Sequence, residues 1–369
     1  MLISSELKKN LDFIFFRYRH ILVYILIGLF SVFVELLVRK QLHNLGLEFK
    51  AGVILSISIG ILVAFVLNIK LNFYIPKHFL LRSLLYFVII SFLSGCIQLL
   101  IYKFISLNIL GEYKYESNRI IISGMVFLLA YYLHRKITFR EHGKVGVAIY
   151  AKRNENTHGI FQKIGVYPDF IHVDVVDDTF IETKVDQNFY QFDMIKAYWK
   201  NHKIFTHLMT KKPSLWIDKV AKYSDIIFIH WEISEDVESI KNKIIKSGSK
   251  PGIVLHAVND YSKKLNQITS SFAEIMILSI EKAGYSGQKF YDGSYKLINL
   301  VNNLKNRNKF NLHIDGGINE ENIKSIDAQY IVSGSTVLNN ENPRNAIMVL
   351  KTFGKYIKDS NANKKISTI

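Results

Sequence analysis

Long apolar runs dominate the first third of the chain. Four of them cover residues 21–38, 51–68, 84–102 and 120–133. A helix needs about 20 apolar residues, with a range of 17–25, to cross the hydrocarbon core of a bilayer. The runs therefore predict an all-α membrane domain of four transmembrane helices, the last of them short. Further spans follow the first run and no small-residue cleavage site is evident, so we do not interpret that run as a cleavable signal.

The basic residues that flank these runs predict the orientation of the helices. Eleven Lys and Arg residues lie near the chain start, after the second run and after the fourth, against six on the other side. Positive residues concentrate on the cytoplasmic side of membrane proteins. We therefore expect a multi-pass protein of the cytoplasmic membrane, with both termini and everything after residue 140 in the cytoplasm.

From residue 145 onward, short strand-like runs alternate with helix-length stretches. The predicted strands cover residues 145–150, 170–174, 204–207, 226–230, 252–255, 275–279, 311–315 and 330–333. Eight such units predict a (β/α)₈ TIM barrel. The competing fold is a doubly wound open sheet, which normally has a glycine-rich turn after its first strand; residues 150–154 contain no glycine. The predicted domains are thus 1–140 and 145–355, followed by a polar, disordered tail at 356–369.

Composition limits the classes of partner. The formal net charge is +16, but no nucleic-acid motif or aromatic-interleaved basic patch accompanies it. We therefore predict no nucleic-acid partner and attribute the lysines to a domain held near anionic lipid. The only cysteine, Cys96, lies in the third apolar run, so no disulfide within the chain is possible.

Ionisable residues lie at the carboxyl ends of three predicted strands, where TIM barrels place their chemistry. His172 and Asp174 occupy inward positions of the second strand, His207 ends the third, and Asp315 ends the seventh. The second strand alone is equally well explained by a helix-capping Asp and a satisfied core His. Two His and two Asp that converge on one barrel mouth instead predict a site for a divalent metal.

Glycines follow the last two strands and predict the other half of the site. Gly316 and Gly317 follow the seventh strand, and Gly334 and Ser335 follow the eighth. Their backbone N–H groups are free to bind a phosphate where TIM barrels commonly bind one. A loop at residues 284–290 is placed to close over it.

Two stretches of the membrane part resemble each other. The sequence FVLNIKLNF (residues 65–73) and the sequence YYLHRKITF (residues 131–139) each combine an apolar helix end, a polar residue, basic residues and an aromatic. This indicates a duplicated pair of helices, arranged as a parallel repeat. Glu35 is a carboxylate within the first span, and such groups are functional candidates by default.

These membrane features resemble the GtrA-like family over roughly residues 15–140. The resemblance implies movement of a polyprenyl-phosphate-linked sugar across the membrane for cell-surface polysaccharide assembly. The positions that carry it are Glu35, Asn68, Lys70, Arg135 and Lys136. The basic ones suit a lipid phosphate, although they are equally explained as ordinary positive-inside anchors.

The second domain resembles ribulose-phosphate 3-epimerase over essentially all of residues 145–350. The motifs are HVDVVD at 172, HLM at 207, GYSGQKF at 284, DGGIN at 315 and VSGS at 332. The resemblance implies a divalent metal (Fe²⁺, Mn²⁺ or Zn²⁺) on His172, Asp174, His207 and Asp315. Asp174 and Asp315 would be the catalytic acid–base pair, on strands expected at opposite sides of the barrel. The implied substrate contacts are Met209, Ser286, Gly287, Gly316, Gly317, Gly334 and Ser335. His230 and Glu232 match a family His-x-Glu.

The sequence departs from this family at the rim of the site. The first strand lacks the family's substrate-contacting serine, and Val176 stands where a methionine is usual. We therefore predict a bifunctional protein whose barrel epimerises C3 of a ketopentose phosphate and whose membrane part translocates a lipid-linked sugar. One alternative is a non-catalytic barrel that senses a sugar phosphate and regulates the membrane domain. Another is an active epimerase on a helical anchor. A homo-oligomer is expected.

Overall fold

The computed structural model describes residues 2–73, 75, 80–108, 115–139, 143–152, 154–181 and 189–351. Side chains are described throughout these ranges except at 2–17, 102, 103, 105–108 and 115–123. The chain divides into two compact units, Arg17–His142 and a second unit formed by Gly143–Ile369 with Met1–Phe16. The tail predicted at residues 356–369 lies outside the described residues.

The first unit is helical, as the apolar runs predict. Its helices are α1 (Leu2–Asn44), α2 (Phe49–Leu67), α3 (Leu80–Asn108) and α4 (Tyr115–Leu133). Within the described residues, three stretches are long and apolar enough to cross a membrane: Tyr18–Asn44, Phe49–Asn72 and Leu80–Ile101. They contain most of the first three predicted spans. The fourth predicted span falls on α4, where the side chains of residues 115–123 are not described, so the count of four spans stays a prediction.

Helices α2 and α4 end in the same unusual way. Each continues into a five-residue π-helical turn, and these turns are Asn68–Asn72 and His134–Thr138. The amide of Phe73 donates to the carbonyl of Asn68, and the amide of Phe139 donates to that of His134, both at 2.8 Å. Because π-helical turns are rare and concentrate at functional sites, their recurrence at equivalent positions makes the sequence repeat visible in the backbone.

The two repeats meet through aromatic rings. Phe73 and Phe139, the residues that follow the two π-helical turns, are stacked with centroids 4.3 Å apart and an interplanar angle of 11°. Both are buried, in a cluster with Tyr24, Phe65 and Phe87. Offset-stacked rings contribute about 0.5–1.5 kcal/mol beyond their buried area. This pair therefore fixes the ends of α2 and α4 against each other.

The second unit contains a closed barrel of eight parallel strands, counted over the described residues, in the order β1 to β8. The strands are β1 (Lys144–Tyr150), β2 (Phe170–Val176), β3 (Lys203–Met209), β4 (Ile226–His230), β5 (Lys250–His256), β6 (Glu274–Leu278), β7 (Asn311–Asp315) and β8 (Tyr330–Val332). Each overlaps a predicted strand, so the predicted TIM barrel is confirmed.

Among the described residues, one α-helix follows each of β1 to β6 and leads to the next strand, and two more follow β8. They are α5 (Thr157–Ile164), α6 (Tyr190–Tyr198), α7 (Ser214–Val220), α8 (Val237–Lys246), α9 (Leu265–Ser271), α10 (Gly293–Asn302), α11 (Ser335–Leu338) and α12 (Pro343–Leu350). Several begin with a side-chain cap, such as Asp236, which accepts a hydrogen bond from the amide of Ser239 at the start of α8.

Large rings fill the barrel below the site. A Cβ atom at Gly146 would lie 2.2 Å from Phe170, and one at Gly252 would lie 2.3 Å from Phe228, so these strands need glycine there. Phe170 precedes His172 by two residues on β2 and therefore lies one interior layer closer to the N-terminal end of the barrel. This layer of aromatic side chains fills the barrel interior on its N-terminal side, and polar side chains occupy the C-terminal mouth.

Candidate active site

The four predicted ligand residues converge at the C-terminal mouth of the barrel. His172 Nε2 lies 3.2 Å from Asp174 Oδ1 and 3.5 Å from Asp315 Oδ2. His207 Nδ1 lies 3.3 Å and 3.5 Å from the same two oxygens. One potential ligand atom from each residue lies within 4.8 Å of the others, and all four residues are buried. β2, β3 and β7 therefore deliver an N₂O₂ donor set to one point.

The expected opposition of the two carboxylates needs correction. Only β1 and β8 separate β2 from β7 around the barrel. Asp174 and Asp315 therefore stand three strand positions apart, where diametrically opposed strands of an eight-stranded barrel stand four apart. The two side chains still reach a common cavity from different strands.

The residues present fit a divalent metal. His172 Nε2, Asp174 Oδ1 and His207 Nδ1 are buried and have no hydrogen-bond partner among the described residues. Buried polar atoms are costly unless they are hydrogen-bonded or bind a metal. Imidazole and carboxylate donors together suit first-row divalent ions. Other buried atoms also lack a partner among the described residues, such as Ser294 Oγ and Gln329 Nε2, but these three belong to the donor set and lie close together.

The cluster is strongly coupled electrostatically. Burial lowers the pKa of His172, but the carboxylates of Asp174 and Asp315 outweigh burial and raise that pKa to about 10. Burial likewise lowers the pKa of His207, and the neighbouring carboxylates of Asp174 and Asp315 raise it above its ordinary value. Burial raises the pKa of both carboxyl groups, whereas His172 and His207 hold both well below their usual range. The directions of all four pKa shifts therefore favour opposite charges on the carboxylates and the histidines.

A chain of polar residues contacts His207 at Nε2, the ring nitrogen that does not face the two carboxylates. His207 Nε2 lies 2.9 Å from His230 Nε2, and His230 Nδ1 lies 3.7 Å from Glu232. Glu232 also accepts hydrogen bonds from Tyr261 and Asn259. Burial lowers the pKa of His230 to about 4; burial raises that of Glu232, but hydrogen bonds from His230 and Tyr261 lower it to about 2. A neutral His230 beside an ionised Glu232 is suited to orient the ring of His207.

A cavity of about 240 Å³ opens above the two carboxylates. All the predicted substrate-contacting residues border it, namely Met209, Ser286, Gly287, Gly316, Gly317, Gly334 and Ser335. Gly316 and Gly317 have φ angles of +109° and +66°, and a Cβ at Gly317 would lie 2.2 Å from the amide nitrogen of Phe290. The loop after β7 can therefore follow this path only with glycine.

Sequence reasoning missed three residues that β1 and the following loop place in this cavity: Tyr150, Lys152 and Glu155. Tyr150 is hydrogen-bonded to Ser286; burial and the charges of Asp174 and Asp315 raise its pKa nonetheless. Lys152 Nζ lies 5.1 Å from the centre of the Tyr150 ring and 3.8 Å from Glu155. The alternation Gly146, Ala148, Tyr150 along β1 was the signal that could have found the tyrosine.

The predicted polar residues of the membrane unit separate into two groups. Glu35 and Asn68 border a cavity of about 820 Å³ within that unit, together with Gln98. Glu35 forms a salt bridge with Arg39, and Asn68 donates a hydrogen bond to the carbonyl of Ala64 at 2.9 Å. The predicted basic residues do not border the cavity; they are exposed, and they are Lys70, Arg135 and Lys136.

Comparison with known proteins covers both units. Residues 147–338, just over half of the chain, match the ribulose-phosphate 3 epimerase family, and residues 23–139 match the GtrA/DPMS transmembrane domain. The ribulose-phosphate 3-epimerase of Buchnera aphidicola subsp. Baizongia pistaciae is 29% identical over 216 residues, covering 56% of this chain and 91% of that protein. That of Aquifex aeolicus is 26% identical over 177 residues, covering 46% of this chain and 77% of that protein.

Among solved structures, 3-hexulose-6-phosphate synthase from Salmonella typhimurium is similar with a TM-score of 0.43 and 13% identity. The similarity covers 57% of this chain and 98% of that one.

The barrel and its buried His/Asp centre define an isomerase domain of the TIM-barrel class. The chain belongs to the ribulose-phosphate 3-epimerase family, and it joins an epimerase-like barrel to a GtrA-like membrane domain in one polypeptide. Both resemblances inferred from the sequence are confirmed.

Proposed function

We propose that the barrel inverts carbon 3 of a ketopentose phosphate of the ribulose 5-phosphate and xylulose 5-phosphate type. One observation carries the proposal. Asp174 and Asp315 meet His172 and His207 at the base of a single cavity, and glycine-rich loops border the same cavity.

The chemistry needs two groups that handle protons. Inversion beside a ketone requires removal of the proton from one face of the carbon and delivery of a proton to the other face. In our proposal one carboxylate, Asp174 or Asp315, takes the C3 proton, and the C–H electron pair moves toward the ketone. The other residue, protonated, delivers its proton to the opposite face. The two residues exchange roles in the reverse direction.

The four ligand residues would hold a divalent cation, with Fe²⁺, Mn²⁺ and Zn²⁺ as candidates. When bound, the cation supplies Lewis-acid polarisation of the ketone oxygen and offsets the negative charge that develops there. The polar residues His230 and Glu232 would keep the ring of His207 in its ligating orientation.

The glycine-rich loops would bind the phosphate end of the substrate. Backbone N–H groups of the Gly316–Gly317 and Gly334–Ser335 segments are the proposed donors, because both segments border the cavity beside Asp315. Ser286 and Gly287 would close over the sugar, and Met209 would shield the reacting carbon from water. Binding energy from the phosphate would then orient C3 between the carboxylates.

The identity of the sugar phosphate can be tested directly. The full chain in detergent, loaded with each metal in turn, is given ribulose 5-phosphate and other ketose phosphates, and epimer formation is followed by NMR. The proposal is supported if ribulose 5-phosphate is converted faster than the other ketose phosphates. Faster conversion of another ketose phosphate would reassign the substrate.

The membrane unit, in our proposal, translocates a polyprenyl-phosphate-linked sugar. Its support is the cavity of about 820 Å³, which carries the carboxylate of Glu35 and the amides of Asn68 and Gln98 among apolar side chains. Polar groups at such positions are expensive and mark substrate pathways. Glu35→Gln should reduce translocation in proteoliposomes and leave epimerase activity unchanged, whereas the exposed Glu48→Gln should change neither. Unaltered transport by Glu35→Gln would contradict a role for this residue.

The proposed setting is the cytoplasmic membrane, with both termini and the barrel in the cytoplasm, and with the chain assembled as a homo-oligomer without nucleic acid. The excess of basic residues on one side of the apolar runs supports the orientation. We expect an added protease to cleave the barrel in inside-out vesicles but not in sealed cells.

A further inference from the structure

The N-terminal end of the barrel, opposite the active-site mouth, carries a rim of lysines. Lys203 and Lys250 are the first residues of β3 and β5, and Lys196 lies in the last turn of α6. All three are exposed. Further exposed lysines on this rim are Lys163, Lys200, Lys219, Lys222, Lys246, Lys305 and Lys309, and the exposed acids Asp169 and Asp225 precede β2 and β4 at the same end.

These charges are not neutralised locally. In the part of the chain that the structure describes, Lys196, Lys203 and Lys250 form no salt bridge. Two acidic residues, Asp225 and Glu274, lie beside them, against four lysines around one hollow. Asp225 accepts a hydrogen bond from the amide of Ile204 at 2.9 Å, and the buried Glu274 pairs with His313 at 2.8 Å. The rim therefore has a surplus of positive charge.

Four of the lysines surround one depression. Lys196, Lys203, Lys222 and Lys250 line a hollow of about 470 Å³ at the N-terminal end of the barrel. Asp225 and Glu274 line the same hollow, so four lysines face two acidic residues, and an external anion would relieve the remaining repulsion between the lysines. Several phosphate groups side by side match such a surface.

The opposite end of the barrel has a different charge pattern. Its loops interleave lysines with many exposed acids, which are Asp178, Asp236, Asp260, Glu281, Asp292, Glu321 and Glu341. Helix macrodipoles favour acids at helix starts and bases at helix ends, which accounts for part of this asymmetry. Lys203 and Lys250 begin strands, so the macrodipoles do not account for them.

We propose that this lysine rim docks the barrel on anionic phospholipid headgroups. Connectivity supports lipid as the partner, because the chain enters the barrel at this end. Lys144 begins β1, and only residues 140–143 separate it from residue 139, where the match to the transmembrane-domain family ends. That stretch spans at most about 18 Å.

The test uses the full chain in nanodiscs, which expose lipid on both faces, so its result does not depend on the proposed orientation. Cys96→Ser removes the only native cysteine. A fluorophore is placed either on Asn201→Cys at the lysine rim or on Ser262→Cys at the opposite end. Both positions are exposed. Headgroup-attached quenchers then report the distance to lipid, in phosphatidylcholine alone and with added phosphatidylglycerol.

Docking predicts that phosphatidylglycerol increases quenching at position 201 but not at position 262, and that salt reverses the increase. The triple variant Lys196→Gln/Lys203→Gln/Lys250→Gln should lose this increase in quenching at position 201. Each lysine is expected to change the docking equilibrium by about five-fold. The matched triple variant Lys263→Gln/Lys264→Gln/Lys282→Gln should keep the increase in quenching. Both triples should retain epimerase activity, which confirms their folding.

Three outcomes would overturn the proposal. Equal quenching in both lipids would mean that the linker alone holds the barrel near the membrane. Equal loss in the two triple variants would mean a general effect of net charge. A change of subunit association in detergent, with unaltered quenching, would assign the rim to a second copy of the chain.

Discussion

His207 Nε2 lies 2.9 Å from His230 Nε2, while His207 Nδ1 points at the two carboxylates of the site. With a cation on Nδ1, the ring proton of His207 would lie on Nε2, which would donate a hydrogen bond to His230 Nε2. The pair therefore couples the orientation of a proposed ligand to a residue that does not touch the substrate cavity.

Replacing His230 is expected to weaken metal binding. His230→Ala removes the acceptor that orients His207, and loss of such a partner typically costs about 10–100-fold in metal affinity. Competition with a chromophoric chelator measures the affinity. His202→Gln, at the other end of the barrel, serves as the control and should bind metal normally. Equal affinity in His230→Ala and the parent protein would show that this hydrogen bond does not orient His207.

Metal binding is expected to release protons at neutral pH. Without metal, the carboxylates raise the pKa of His172 to about 10, so its ring is protonated at neutral pH. An imidazole must be neutral to bind a metal, so binding releases the proton of His172. Below that pKa, the apparent metal affinity should therefore rise about tenfold for each unit by which the pH is raised, per proton released. Calorimetry in buffers of different ionisation enthalpy measures the protons released. A binding enthalpy independent of buffer would contradict this coupling.

The glycine at position 317 is expected to be essential for catalysis. Gly317→Ala places a Cβ 2.2 Å from the Phe290 amide at a φ of +66°, so the loop must move. A displacement of about 1 Å in a substrate-positioning loop lowers kcat/KM by on the order of 10²-fold. Gly248→Ala, at the other end of the barrel, is the matched control, because it has a similar φ of +89° but nothing within 4 Å of its Cβ. Similar kinetics for both variants would argue against a constrained phosphate loop.

Tyr150 is expected to influence substrate binding more than turnover. Tyr150→Phe removes the hydrogen bond to Ser286 and keeps the ring. A hydrogen bond worth about 1 kcal/mol corresponds to a roughly five-fold rise in KM with little change in kcat. Steady-state kinetics separate the two constants, and Tyr223→Phe, outside the cavity, is the control. A fall in kcat at constant KM would instead assign Tyr150 to the chemical step.

The sequence was most informative where periodicity and chemistry coincide. β2 was predictable because apolar residues alternate with His172 and Asp174, and this alternation also gave the inward direction of the ligands. The inward position of Tyr150 could have been found from the alternation along β1, but the cavity position of Lys152, beyond the strand, depends on barrel closure, which no local pattern encodes.

In the membrane unit too, some features were predictable from the sequence and others were not. The repeat was readable from residues 65–73 and 131–139, but the π-helical turns were not, since no residue pattern distinguishes them from an ordinary helix end. Lys70, Arg135 and Lys136 are exposed at the helix ends, so their predicted role at a lipid phosphate and the alternative of positive-inside anchors both stay open.

Deuterium exchange at C3 tests the central proposal most directly. The metal-loaded full chain is incubated with ribulose 5-phosphate in D₂O, and proton NMR follows loss of the C3 signal. We expect exchange in the parent protein and in Asp178→Asn, an exposed acid beside the site. Asp315→Asn should lose it by about 10²- to 10⁴-fold, because one of the two proton-transferring groups is gone. Undiminished exchange in Asp315→Asn, or none in the parent protein with metal bound, would contradict two-carboxylate epimerisation at this site.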